Sequence, residues 1–141
     1  MNAVHQLGSP TITSRGSLTA PTVDTVKAAL YLVSATTDST DTAYTATGEV
    51  SGAGYSAGGV TVTNGTGPST SGTVGIWTPS ASIVYTTVTL ATAFDAVMLY
   101  NSTQSNKAIA VYTFGSQTVT AGTFTLTMPT NDSTHALIQL A

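Results

Sequence analysis

The chain has 141 residues, enough for one domain with an ordinary buried core, and no cysteine, which excludes a disulfide framework and any thiolate metal site. Only 6% of its residues are charged, against about 25% in typical soluble domains, so solubility rests on hydroxyls: 30 Thr and 15 Ser. A net charge of -3, with Arg15, Lys27 and Lys107 the only fixed cations, excludes a basic footprint for DNA or RNA, and no apolar run is long enough to cross a membrane as a helix.

Residues 1–24 carry Gly8, Pro10, Gly16 and Pro21 among Ser and Thr, with little apolar periodicity, and read as an extended N-terminal arm. The opening "MNAVHQLGSPTITSRG" has neither a charged leader nor an apolar run of signal-peptide length, so synthesis and use without export are expected. "VKAALYLV" (26–33) has an Ala pair that would suit a short helix, but its Val, Tyr and Leu and its Thr-rich flanks favour a strand. After a polar loop, "SATTDSTDTAY", further strands are expected at "TATGEV", "VTVTN", "GTVGIWT", "SIVYTTVTL", "DAVMLYN", "KAIAVYTFG", "GTFTLTMP" and "HALIQLA". Their regular spacing and Gly, Pro, Asn and Asp punctuation predict one all-β domain over 25–141, an antiparallel β-sandwich or barrel of jelly-roll-like kind.

"FDAVMLYNSTQSNKAIAVYTFG" reads as a β-hairpin around the polar loop Asn101 to Asn106. Val97, Leu99, Ile109, Val111 and Phe114 are expected on inward faces, and the unbroken "AVMLY" and "AIAVY" suggest central strands covered on both sides. "TFTLTM" alternates strictly, placing Phe124, Leu126 and Met128 on one half-buried face and Thr on the other.

"GEVSGAGYSAGG" (48–59) most resembles a phosphate loop, yet Gly58 follows Gly52 and Gly54 one residue too late for the dinucleotide fingerprint. What comes next reads as a strand, so the helix N-terminus that would face a phosphate is missing, and a tight turn is the expectation. His5 and His135 have no nearby acidic cluster, and no G-x-S-x-G elbow is present. The acids Asp24, Asp38, Asp41, Glu49, Asp95 and Asp132 are scattered, and "TDSTD" lacks the spacing of a calcium loop. Sequons at Asn64, Asn101 and Asn131 are what chance allows in so Ser/Thr-rich a chain. No catalytic, cofactor-binding or metal-binding set is therefore expected. Tyr55 and Trp77 could present rings at an interface or to a sugar, although packing is the plainer reading of Trp77.

"AYTATGEVSGAGYSAGG", followed by "FDAVMLYNSTQSNKAIAVYTFGSQTVTAGTFTLTMP" and a terminal "ALIQL", resembles small structural proteins encoded among the head genes of tailed bacteriophages, over roughly residues 26 to 141. The resemblance implies a non-enzymatic virion component, synthesised in the host cytoplasm and placed on the capsid surface as a decoration or cement protein. It would bind the major capsid protein and assemble with itself, often as a trimer. Low charge and few Lys, which leave strand edges poorly guarded, fit such an assembling part, and the arm could order on a neighbouring subunit by strand addition. Alternatives are a head-to-tail connector or tail component, a tail-tip glycan-binding adhesin and, for want of convergent acid, base and nucleophile, least of all an enzyme.

Overall fold

Strand is the regular structure that so Thr-rich a chain adopts: the computed structural model describes residues 12–14, 17–18, 24–65 and 67–141, and no helix occurs among the described residues. The strands are β1 (Ile12–Ser14), β2 (Ser17–Leu18), β3 (Val26–Leu32), β4 (Val60–Thr61), β5 (Ser69–Ser71), β6 (Val74–Trp77), β7 (Ile83–Asn101), β8 (Lys107–Leu126) and β9 (Ile138–Leu140). β1 and β2 pair with each other, and apart from Asp24 the rest of the expected arm lies outside the described residues, as does His5. Asp24, its last residue, belongs to the β domain: its buried carboxylate accepts hydrogen bonds from Asn101 Nδ2 (2.9 Å) and Gln104 Nε2 (3.3 Å).

Two antiparallel sheets face each other as a sandwich, one in the order β4-β3-β7-β8 and the other β5-β6-β9. The first sheet turns Val26, Ala28, Leu30, Val97 and Leu99 inward, and Trp77 and Ile138 of the second sheet meet them in the main core. On the opposite face Ala29, Tyr31, Ala96, Met98 and Tyr100 form a smaller core, covered by Ala35 and Tyr44 of the loop after β3.

The hairpin predicted around Asn101–Asn106 is much longer than the sequence suggested. "SIVYTTVTL" and "DAVMLYN" are one 19-residue strand, and "KAIAVYTFG" and "GTFTLTMP" merge into one of 20 residues. That hairpin is folded over on itself. Phe114 and Phe124 lie ten positions apart on β8, about 33 Å in a straight strand at ~3.3 Å per residue. Their ring centroids are nevertheless 5.5 Å apart, and Phe94 packs edge-on against both, at 6.0 and 5.0 Å. Pairing explains the bend: register shifts separate Tyr85/Val88, Val88/Leu90, Leu90/Phe94 and Phe94/Ala96, and bulges of this kind turn a strand without ending it. Thr87 and Ala121 take positive φ (53° and 45°) where single extra residues fall on β7 and on β8.

Bulging also corrects the expected faces. Val97, Leu99, Ile109 and Phe114 do pack on the main core, but Val111 packs on the smaller core with Met98. A shift between Leu99 and Tyr100 leaves Ile109 as the extra residue, so Ile109 and Val111 no longer share a face. "AVMLY" is buried on both sides as expected, whereas "AIAVY" is not central: it lies half-exposed on β8, the sheet's edge. "TATGEV" forms no strand beyond a bridge of Glu49 to Tyr31, and β5 was not anticipated. Phe124, Leu126 and Met128 are half-buried with Thr123, Thr125 and Thr127 exposed, as the alternation requires.

Candidate functional site

Residues 48–59 lie directly on the backbone of the large sheet, and glycine makes that approach possible. A Cβ on Gly59 (φ 70°) would sit 1.6 Å from the Ala28 carbonyl oxygen, and one on Gly52 would sit 2.0 Å from that of Thr89. So laid, the loop delivers Glu49 into a ring of donors. Its carboxylate accepts the Tyr44 hydroxyl (2.6 Å), the Tyr55 hydroxyl (2.7 Å) and the Gly58 N–H (2.7 Å). The anion that meets the glycine amide is thus the chain's own, and the tight-turn reading describes the segment.

Further tyrosines extend this network. Tyr100 donates to the Gly58 carbonyl (2.8 Å) and stacks on Tyr44 at 4.6 Å, while Tyr31 donates to the Thr45 carbonyl (2.6 Å). Tyr85 donates to the Ala28 carbonyl (2.9 Å), and the Tyr55 oxygen accepts the Leu30 N–H (3.0 Å). Burial, with a smaller contribution from the Glu49 charge, pushes the Tyr31 hydroxyl up to about 12. Burial followed by the Glu49 hydrogen bond raises Tyr44 and Tyr55 further, and burial followed by the Glu49 charge raises Tyr85. Hydroxyls held neutral and spent on carbonyls and a carboxylate fasten the loop to the sheet; they are not poised as nucleophiles or bases.

The sequence's other candidates do not converge. Trp77 is buried in the main core, 2% exposed, with its indole N–H on Asn64 Oδ1 (3.0 Å). Tyr55 is half-buried and stacked on Tyr85, so the structure places both rings in packing contacts and does not bring them together on a surface. His135 and Asp132 form an exposed turn in which Nδ1 approaches both the Asp132 carboxylate (2.9 Å) and the Thr134 hydroxyl (2.8 Å). Hydrogen bonds, from Thr134 first, hold the Asp132 carboxyl well below the usual carboxylate range. A relay to a nucleophile needs both ring nitrogens, and here carboxylate and hydroxyl share one. Asp38 accepts the Thr40 amide and hydroxyl, while Asp41 accepts the Asp38 amide, so this pair organises its own loop. Among the described residues no group of three or more His, Asp or Glu could hold a metal, and no helix is long and apolar enough to cross a membrane.

Among the described residues, the fold leaves the outer edge of β8 open. Its first residues are engaged: Ala43 bridges Lys107, and Ala108 donates to the Thr42 carbonyl (3.0 Å). Beyond them no described strand pairs with it. Between the two limbs of the folded hairpin an apolar slot of about 200 Å³ opens, lined by Val97, Tyr112, Phe114, Leu126, Met128 and Leu137. Tyr112 holds one wall by donating to the Leu137 carbonyl (2.7 Å). Between Lys107 and Asp132 there is no Asp, Glu, Lys or Arg, a signal present in the sequence that becomes meaningful only once β8 is known to be an edge.

No protein-family model, curated protein or solved structure matches the chain.

Proposed function

We propose that the chain is a non-enzymatic structural protein of a bacteriophage particle, a capsid decoration or cement protein that binds the outside of the assembled shell. The observation that supports an assembling role is the long, uncharged stretch of β8 beyond Ala108, with no other described strand paired on its outer side; the placement in a virion rests on the resemblance of residues 26 to 141 to phage head proteins. The partners are the major capsid protein and further copies of the chain. A protein that binds the closed shell and not its dissociated parts stabilises the shell by mass action, and many copies bridging capsomer boundaries multiply the effect. The connector or tail position shares these features, whereas a glycan-binding role would have to do without the Trp77 ring, which lies in the core.

Quantitative mass spectrometry of purified particles, comparing this chain with the major capsid protein, tests the reading. A copy ratio near one, or a simple fraction of it, is expected. A few copies per particle would move the protein to the connector or tail, and its absence from particles would overturn the structural role.

A further inference from the structure

We propose that a second copy of this chain docks along the open edge of β8, pairing the limb Gly122–Met128 antiparallel with itself across a two-fold axis. The inference rests on the assembling role proposed above and names the surface that carries it.

Exposed edges are usually blunted by shortness, by charge or by proline. β4, β5 and β9, the other strands at the sheet margins, have two or three residues each and are blunted by length. β8 has 20 residues, no proline, and no charge after Lys107. Its pairing with β7 is free of register shifts from Phe124 to Leu126, so the limb beside the slot is regular enough to receive another strand.

Charge selects the occupant. An edge without ionic groups offers nothing to steer or hold an acidic or basic partner, so its complement is an extended, uncharged segment with unpaired backbone groups. The limb itself has these properties, and a two-fold interface requires that a surface be its own complement. Pairing centred on Thr125 sets Phe124 opposite Leu126 of the partner subunit, an aromatic–aliphatic cross-strand pair on the half-buried face. On the other face Thr123 meets Thr127 of the partner subunit, hydroxyl to hydroxyl. Met128 lines the slot between the limbs, so the interface would continue its apolar wall. The product is a pair, not the trimer that the phage resemblance implies.

Sedimentation velocity of the full chain over a dilution series, beside the double variant Thr123→Lys and Thr125→Lys, tests this. Both side chains are exposed, so the fold should survive while the edge gains two charges. The wild type is expected to reach twice the monomer mass and the variant to stay monomeric. A wild type that is monomeric throughout, a trimer, or a folded variant that associates like the wild type would each overturn the proposal. Should the variant fail to fold, hydrogen exchange on the wild type decides. Amides of 122–127 should lose protection on dilution while those of β3 keep it, and concentration-independent exchange at 122–127 would sink the edge pairing. No shell is present in either experiment, so their failure leaves particle binding untouched, and absence from virions leaves the pairing untouched.

Discussion

Glu49 is the acceptor for Tyr44, Tyr55 and the Gly58 amide. Glu49→Ala strands all three donors in a partly buried site, and at ~1–3 kcal/mol for each unsatisfied group, softened by water where the site is open, a loss of about 3 kcal/mol is expected in urea unfolding. Glu49→Gln keeps an acceptor oxygen and should lose less than half as much. Two other tyrosines make stability depend on alkaline pH. Tyr31 and Tyr112 titrate near 12 in the fold, burial being the first cause for each, against about 10 in an unfolded chain. Because the fold prefers the neutral hydroxyl, its contribution is complete below pH ~10 and is lost as pH rises from ~10 through ~12. The urea midpoint should be flat around neutrality and fall across that window; a midpoint unchanged at pH ~12 would contradict the buried, neutral hydroxyls.

The folded hairpin turns on Phe94, fully buried where β7 bends and edge-on to two other rings. Phe94→Ala is expected to destabilise by about 3–5 kcal/mol, and Phe94→Leu, which refills most of the volume but loses the ring geometry, by about 1–2 kcal/mol. Equal effects would mean that ring geometry, and not packing volume, holds the bend. The strands of this hairpin were legible in the sequence, because "DAVMLYN" and "TFTLTM" carry apolar alternation or continuity that a side-chain period reveals. Their fusion was not. Residues 91–94 and 116–121, between the expected strands, carry no such pattern, and only tertiary pairing shows that they continue the ladder through bulges. Neither could strand order be read. "AIAVY" and "AVMLY" are equally apolar, yet β3 settles beside β7 and leaves β8 as the edge, a choice made by contacts some seventy positions away in the chain. For the same reason the site was half visible: the uncharged run after Lys107 stood in the sequence, but its exposure did not.

At the scale of the whole molecule, Asp24 and Asn101 hydrogen-bond across 77 positions, and β3 lies antiparallel to the far end of β7. Such pairing must close a long loop, whereas β7 and β8 meet through a turn of a few residues in which Ser105 and Asn106 take positive φ. The turn should therefore govern how fast the chain folds. Ser105→Gly, which removes the side-chain penalty at φ 55°, is expected to raise the refolding rate in stopped flow, while Leu30→Ala in β3 mainly accelerates unfolding. If Leu30→Ala slowed refolding as much as it destabilised, β3 would already be docked at the barrier. On the ribosome the order is awkward: "VKAALYLV" leaves the exit tunnel long before its partner β7 has been translated. At ~5–20 residues per second that apolar strand waits several seconds unpaired. This interval leaves nascent chains open to cross-pairing with one another, and slower synthesis at lower temperature would not shorten it.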